Sequence, residues 1–358
     1  MRRHGFDWLR IGVIFLLFPF HTARVFDAWE PNYVKDAANI NGFCTWLTAA
    51  LGYWIMPLMF FIAGYAACQA LRKRTPGQYV RERVSRLLVP FLAGMLLIVP
   101  PQAYLALTQQ YGYTGNYFEF LGRYFTDFSD LSGYTGGFTP AHLWFILYLF
   151  VISLALLAPL VWIVRRPEKL KGLAKPWIML LAVVPVTLME ALPDIGGKNP
   201  FFFAMIFLLG AVFANSDTFI DTLRRLRFAF LGGAAVTTGA VLTIVVLVGW
   251  PEGYTAEGIG FALLRNLSVW LIILALAGLA DQYWNRESEA LTIFNRASYP
   301  VYIVHQTVLI AAAYFIVMLD VPWAVKYVAI VLATMGLSWG CYEVFRRFKV
   351  TRFLLGIK

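Results

Sequence analysis

An imidazole can take a proton from a hydroxyl, relay an acyl group or ligate a metal, so a sequence is searched for chemistry first at its histidines. This chain of 358 residues has four. His4 lies in the polar lead-in and says nothing by itself. His21 closes "RIGVIFLLFPFH", His142 opens "HLWFILYLF" and His305 sits in "SYPVYIVHQ". All three fall in or beside strongly apolar runs, where an ionisable side chain is costly and points to a polar interior or pathway. A satisfied structural hydrogen bond is the plainer alternative for each. Arg10 opens the run that His21 closes. Eleven residues at 100° each come to about 1100°, roughly 20° from whole turns, so on a helix the two share a face about 16 Å apart. Arg10 also reads as a snorkelling or topological cation, and Asp7, three residues earlier, as its ion-pair neighbour or a helix cap.

Other charged groups extend the set of candidates. Arg81, Arg83 and Arg86 stand together in "YVRERVSRLLVPF". Arg83 and Arg86 are about one turn apart, and their planar guanidinium forks suit phosphate, although a basic entry helix lying on lipid headgroups has the same composition. Glu190 and Arg265, each inside an apolar segment, either pair with each other or serve a site, Glu190 orienting a histidine and Arg265 holding an anionic group of a substrate. Residues 110–140 interleave tyrosines and phenylalanines with Asp127 and Asp130. An aromatic interface belt explains part of that, and stacking on sugar rings with acids bonding hydroxyls is the functional reading. Trp144, beside His142, is grouped with these as a candidate substrate contact.

The elements that must position these groups follow from composition. Sixty per cent of residues are hydrophobic and 14% charged, too apolar for a water-soluble surface. The fold class expected is all-α, a polytopic integral membrane protein. Apolar windows long enough to cross a hydrocarbon core of about 30 Å recur ten times, at 8–27, 45–70, 87–108, 142–164, 175–192, 200–215, 227–249, 258–281, 298–318 and 322–345. Residues 1–358 form one transmembrane domain in this reading. Residues 71–86 hold six Lys/Arg, 164–175 five and 346–358 five, whereas 28–43 holds only Lys35, 110–140 only Arg123 and 250–257 none. Basic loops mark the cytoplasmic side, which puts both termini there. "MRRHG" before an apolar run resembles a signal peptide, but Asp7 and Arg10 interrupt it and no small-residue cleavage site follows. The net charge of +10 then reflects topology and an anionic inner leaflet, which makes membrane lipid a partner and excludes nucleic acid. Cys44, Cys68 and Cys341 have no metal-ligand or redox spacing; no metal is expected, and a homo-oligomer is compatible with the sequence.

Arg10 with ten residues before His21, the Asp7-x-x-Arg10 lead-in, Arg83-x-x-Arg86, "PLMFFIAGY" at 57–65 and "PVYIVHQ" at 300–306 together resemble the membrane-bound acyltransferase family 3. "FPFH", "RERVSRLLVP" and "HLWFILYL" are similar to its glucans biosynthesis protein C branch. The resemblance implies a ten-helix enzyme of the bacterial inner membrane that moves an acyl group from cytosolic acyl-CoA, succinyl-CoA or acetyl-CoA, to hydroxyls of a carbohydrate acceptor such as a periplasmic glucan. Under it, Arg83 and Arg86, helped by Arg81 and Arg10, hold the phosphates of the CoA thioester. His21 is the base or acyl relay, and His305 and Glu190 are further catalytic candidates. His142, Trp144, Arg265, Asp127 and Asp130 are candidate substrate contacts. Two other classes stay open on the residues alone. One is a proton-coupled carrier or flippase, against which the absence of a convincing inverted repeat counts mildly. The other is a haem-binding electron carrier using His21 and His305, which no redox motif accompanies.

Overall fold

The computed structural model describes residues 3–129 and 131–357. In chain order the helices are α1 His4–Phe26, α2 Gly42–Gly52, α3 Ile55–Leu71, α4 Pro76–Arg83, α5 Val89–Leu97, α6 Pro100–Tyr111, α7 Tyr117–Tyr124, α8 Trp144–Ala155 and α9 Leu157–Arg165. There follow α10 Pro167–Leu170, α11 Pro176–Leu181, α12 Val183–Glu190, α13 Pro200–Phe213, α14 Asp217–Val248, α15 Ala256–Tyr283, α16 Glu289–Ile316, α17 Trp323–Phe345 and α18 Lys349–Leu354. No strand occurs among the described residues beyond one isolated bridge, Ile195 to Lys198.

Seven helical stretches among the described residues are long and apolar enough to cross a membrane: α1, Gly42–Leu71, Pro76–Tyr111, α14, α15, α16 and α17. Two bent pairs, Ala141–Ala155 with Leu157–Arg165 at 60° and Pro167–Ala174 with Pro176–Glu190 at 93°, raise the number to nine if each is one span. Ten were expected from hydropathy, and by length and apolarity the described residues account for seven to nine. The segment expected at 200–215 is the 14-residue α13, and 14 residues rise only about 21 Å, short of the core thickness. The segment expected at 175–192 starts at the 93° bend, where Lys175, held extended ahead of Pro176 (φ −67°, ψ 133°), breaks the run. Helix α14 begins ten residues before its expected start, because Ser216 caps its first turn through Thr218 N and its basic first turns are helical too.

The chain forms two compact units, one comprising Met1–Arg10, Ala50–Arg81 and Val151–Leu291, the other Ile11–Ala49, Glu82–Phe150 and Thr292–Lys358. In the first, α3 and α13 meet through glycines: a Cβ on Gly64 would overlap the Phe207 carbonyl, and one on Gly210 the Phe61 carbonyl. With no hydrophobic drive between helices in lipid, such close backbone approach supplies the packing energy. Asp281, its side chain fully buried, is held by Arg3 at 2.9 and 3.1 Å and by Arg224. In the second unit, Ala23, Val25, Phe26, Ala106, Leu309 and Ile330 join α1, α6, α16 and α17 in one core. Asp36 and Lys326 pair there at 2.8 Å, both side chains buried, so each charge removes the other's desolvation cost in part.

Candidate functional site

Prolines open the backbone where the histidines gather. Pro100 and Pro101 carry no N–H, so the helix is interrupted at Ile98 and Val99. The Gln102 N–H then bonds the Val99 carbonyl at 2.9 Å instead of reaching Ile98. The freed Ile98 carbonyl accepts from the Thr307 hydroxyl of α16 at 2.7 Å. Pro300 lies inside α16, two residues before the stretch that carries Tyr302, Ile303 and His305.

All three apolar-run histidines belong to the second unit and come together around this opening. The His21 and His305 ring centroids are 5.4 Å apart, and those of His142 and His305 5.1 Å. Phe18 meets His305 edge-on at 5.9 Å and Phe20 meets His21 at 5.0 Å. His305 is 1% exposed and His142 6%, while His21 is only partly buried.

Backbone carbonyls, which can only accept, assign the proton positions. His142 Nε2 is 2.8 Å from the Ile303 carbonyl, so Nε2 donates and Nδ1 is left as an acceptor. The Gln102 amide nitrogen stands 3.5 Å from that Nδ1. His142 thus has both nitrogens engaged, and Tyr302 Oη further ties down its backbone by donating to the His142 carbonyl at 2.5 Å. His305 Nδ1 donates to the Tyr302 carbonyl at 2.6 Å, which places the lone pair on Nε2. That atom is buried and has no hydrogen-bond partner among the described residues. Thr22 Oγ1, beside His21, and Gln306 Oε1, beside His305, are buried and unpartnered in the same way. A lone pair held in a set orientation with nothing to accept from is the geometry of a general base awaiting its substrate. Just before His142, Ala141 has φ 43°, a left-handed conformation that a non-glycine residue adopts at a cost; its N–H is held by Thr139 Oγ1 at 2.9 Å.

The arginine motif takes an unusual shape. Residues 84–88 form a π-helical turn between α4 and α5, a wide turn frequent at functional sites. Arg86 lies in it and Arg83 immediately before it, both partly buried, while Arg81 is exposed. Arg86 Nε is 3.3 Å from Glu82 Oε1, and the Arg86 carbonyl accepts from the Tyr299 hydroxyl at 2.7 Å. Tyr299 precedes His305 by six residues on α16, about 9 Å along the axis. The motif is therefore fastened to the helix that carries the orphaned imidazole. Arg10, on α1 with His21, pairs with Asp7 at 3.5 Å.

The remaining candidates lie elsewhere. Glu190 and Arg265 belong to the first unit and pair directly, and Asn266 Nδ2 donates to the second carboxylate oxygen at 2.6 Å. Trp144 starts α8 and packs edge-on against Tyr148 at 5.4 Å. Asp127 accepts from the Ser129 N–H at 3.1 Å and its hydroxyl at 2.5 Å, and these bonds hold the carboxyl below its ordinary pKa. Asp130 lies outside the described residues. Many rings of the 110–140 segment are spent on neighbours: Tyr117 and Phe120 stack on each other and meet Tyr104 of α6 edge-on, and Tyr124 joins Phe120 and Phe138. Burial pushes the Tyr124 hydroxyl up to about 12. Sequence reasoning missed Gln102, Thr307 and Tyr302; the signal for Gln102 was a lone amide directly after a Pro-Pro break in an apolar run.

Described residues that are helical, with seven to nine candidate spans and a buried imidazole cluster, define a multi-pass membrane protein. A family model described as an acyltransferase domain matches residues 3–343, and the chain belongs to that family, acyltransferase family 3. It is accordingly a membrane acyltransferase. It is similar to glucans biosynthesis protein C of Salmonella schwarzengrund (strain CVM19633) and of Salmonella paratyphi B (strain ATCC BAA-1250 / SPB7), each 21% identical over 390 residues, covering 100% of this chain and 95% of theirs. No solved structure matches the chain.

Proposed function

We propose that this acyltransferase takes a succinyl or acetyl group from cytosolic acyl-CoA and transfers it to a hydroxyl of an exported glucan across the bacterial inner membrane. One imidazole of the His21–His305 pair removes the hydroxyl proton as the oxygen attacks the thioester carbonyl. The C–S bond breaks, the new C–O ester bond forms, and the proton passes to the departing CoA thiolate. Arg83 and Arg86 hold the CoA phosphates at the inner rim. His142 positions its neighbour. The observation that carries the reading is His305 Nε2, a buried lone pair left without a partner.

The test incubates purified protein with labelled succinyl-CoA or acetyl-CoA and a β-glucan, beside His21→Ala, His305→Ala and the double variant Arg83→Ala/Arg86→Ala. The histidine variants should bind CoA as the parent does and transfer about a hundredfold less or lower still; the arginine variant should bind CoA poorly. Full transfer by both histidine variants overturns the mechanism. Glucan movement without esterification would replace the enzyme with a carrier.

A further inference from the structure

Gln102 is the most completely buried amide in the chain's reactive interior, at 0% exposure, and its orientation follows from its neighbours. The Thr307 hydroxyl gives its only proton to the Ile98 carbonyl, so toward Gln102 it can only accept; the amide nitrogen meets it at 2.7 Å. His142 gives its proton to the Ile303 carbonyl, so its Nδ1 also only accepts, and the same amide nitrogen faces it. Flipping the amide would set its oxygen against two acceptors. Both N–H bonds are therefore fixed inward by two backbone carbonyls acting through Thr307 and His142, and Oε1 is left over. It is buried and has no partner among the described residues. His305, whose ring is 5.1 Å from that of His142, presents a second acceptor of the same kind at Nε2.

An unfilled buried carbonyl is destabilised relative to a bonded one. Two such atoms in side chains that both touch His142 describe a place that lacks hydrogen-bond donors and would gain by receiving them. We propose that Gln102 is a ligand-binding residue whose Oε1 accepts a hydrogen bond from an N–H or O–H of a substrate bound at the imidazole cluster. Resting on the acyl-transfer reading, the contact has two chemical sources: an amide N–H of the pantetheine arm of the acyl donor, or a hydroxyl of the carbohydrate acceptor. Either would set the substrate's register against His305 Nε2, which makes Gln102 a determinant of positioning rather than a proton acceptor.

A cycle of variants against substrate analogues tests this with the full-length protein in detergent or nanodiscs. One arm measures the affinity of CoA and of CoA analogues in which either pantetheine amide is replaced by an ester, which deletes a single N–H. The other measures inhibition constants of acceptor glucosides that each lack one hydroxyl. In the parent protein one analogue should lose about tenfold in affinity. In Gln102→Met, which keeps length and removes the acceptor, that same analogue should bind no worse than its full counterpart. A merely structural role for Gln102 would weaken every ligand by one common factor and leave the tenfold loss intact, and that result overturns the proposal. If Gln102→Met does not fold, Gln102→Asn, shorter by one methylene, is read in the same way and must shrink the loss. A parent protein that neither binds CoA nor esterifies glucan removes the acyl-transfer reading and this contact together; one that does both without any analogue-specific loss in the cycle removes the contact alone.

Discussion

Two membrane-embedded polar groups, one in each unit, are built on opposite rules. Around Glu190 the charges cancel: the carboxylate takes a guanidinium on one oxygen and the Asn266 amide on the other, and the Asn266 oxygen is left over among the described residues. Around His305 no charge is cancelled. Carbonyls of Ile98, Tyr302 and Ile303 absorb the available protons, and among the described residues His305 Nε2, Gln102 Oε1 and Gln306 Oε1 are left as bare acceptors. In lipid, where water cannot satisfy a stray group, the first pattern is what holds helices together. The second leaves acceptors open to a donor from outside the described residues. Sequence alone weighed Glu190 and His305 alike as ionisable residues in apolar runs; the difference lies in their partners.

The sharpest way to break the comparison is to delete one member of each group and measure activity and stability side by side. His305→Ala should cut transfer by about 10²- to 10⁴-fold; it also empties a packed ring site and frees the Tyr302 carbonyl, so transfer is compared per folded molecule. Glu190→Leu should spare transfer and lower stability. It leaves Arg265, a side chain only 17% exposed, without its counter-ion, at a cost of about 2–3 kcal/mol of stability, below the fully buried case because the pair retains some solvent. Transfer per folded molecule should stay within about threefold. Adding Arg265→Leu should restore most of the lost stability, because the stranded cation is then gone. Transfer per folded molecule lost through Glu190 and kept through His305 would reverse the assignment.

The helices themselves were legible because hydropathy reports directly whether a segment can leave water. Eight of the ten expected windows fall on helices or bent helix pairs that meet the length and apolarity of a span. The window at 175–192 does so only in part, as the second arm of the 93° pair, and the one at 200–215 falls short as α13. Bends and short segments were not legible, since hydropathy counts apolar residues without regard to where the backbone turns. The histidines were legible as residue types and the tautomers were not: proton placement on His142 and His305 depends on the carbonyls of Ile303 and Tyr302, which only the fold brings to them. Gln102 escaped for the same reason. Its significance comes from Thr307, 205 residues away.

Thr307 offers a smaller and more local probe. Thr307→Val keeps the shape but strands the Ile98 carbonyl and removes the acceptor of one Gln102 N–H, two buried groups that Thr307 alone now satisfies through one hydroxyl. A loss of about 1–2 kcal/mol in stability is expected. Once unlatched, the Gln102 amide is free to turn, so KM should rise several-fold with kcat changed less. Chemical denaturation with parallel initial-rate measurements separates the two, and a fall in kcat with KM unchanged would place Thr307 in the proton path instead.

Ala141→Gly should have the smallest effect and the one whose sign is hardest to guess without magnitudes. At φ 43° an alanine Cβ crowds the following carbonyl, worth about 1–2 kcal/mol of strain that glycine would relieve. Glycine also adds freedom to the unfolded chain, worth about 0.5–1 kcal/mol against the folded state. The strain outweighs the entropy, so the variant should be more stable by about 0.5 kcal/mol. Thr139 Oγ1 and Tyr302 Oη clamp the backbone on either side of the strained bond, the first at the Ala141 N–H and the second at the His142 carbonyl. The strained turn is thus part of what aims His142 at Ile303 and sets the Nδ1 that faces the Gln102 amide. Transfer should therefore fall about twofold as stability rises, measured as Tm and kcat/KM on the same preparation. A variant that gains both would show that the left-handed turn does nothing for the imidazole cluster.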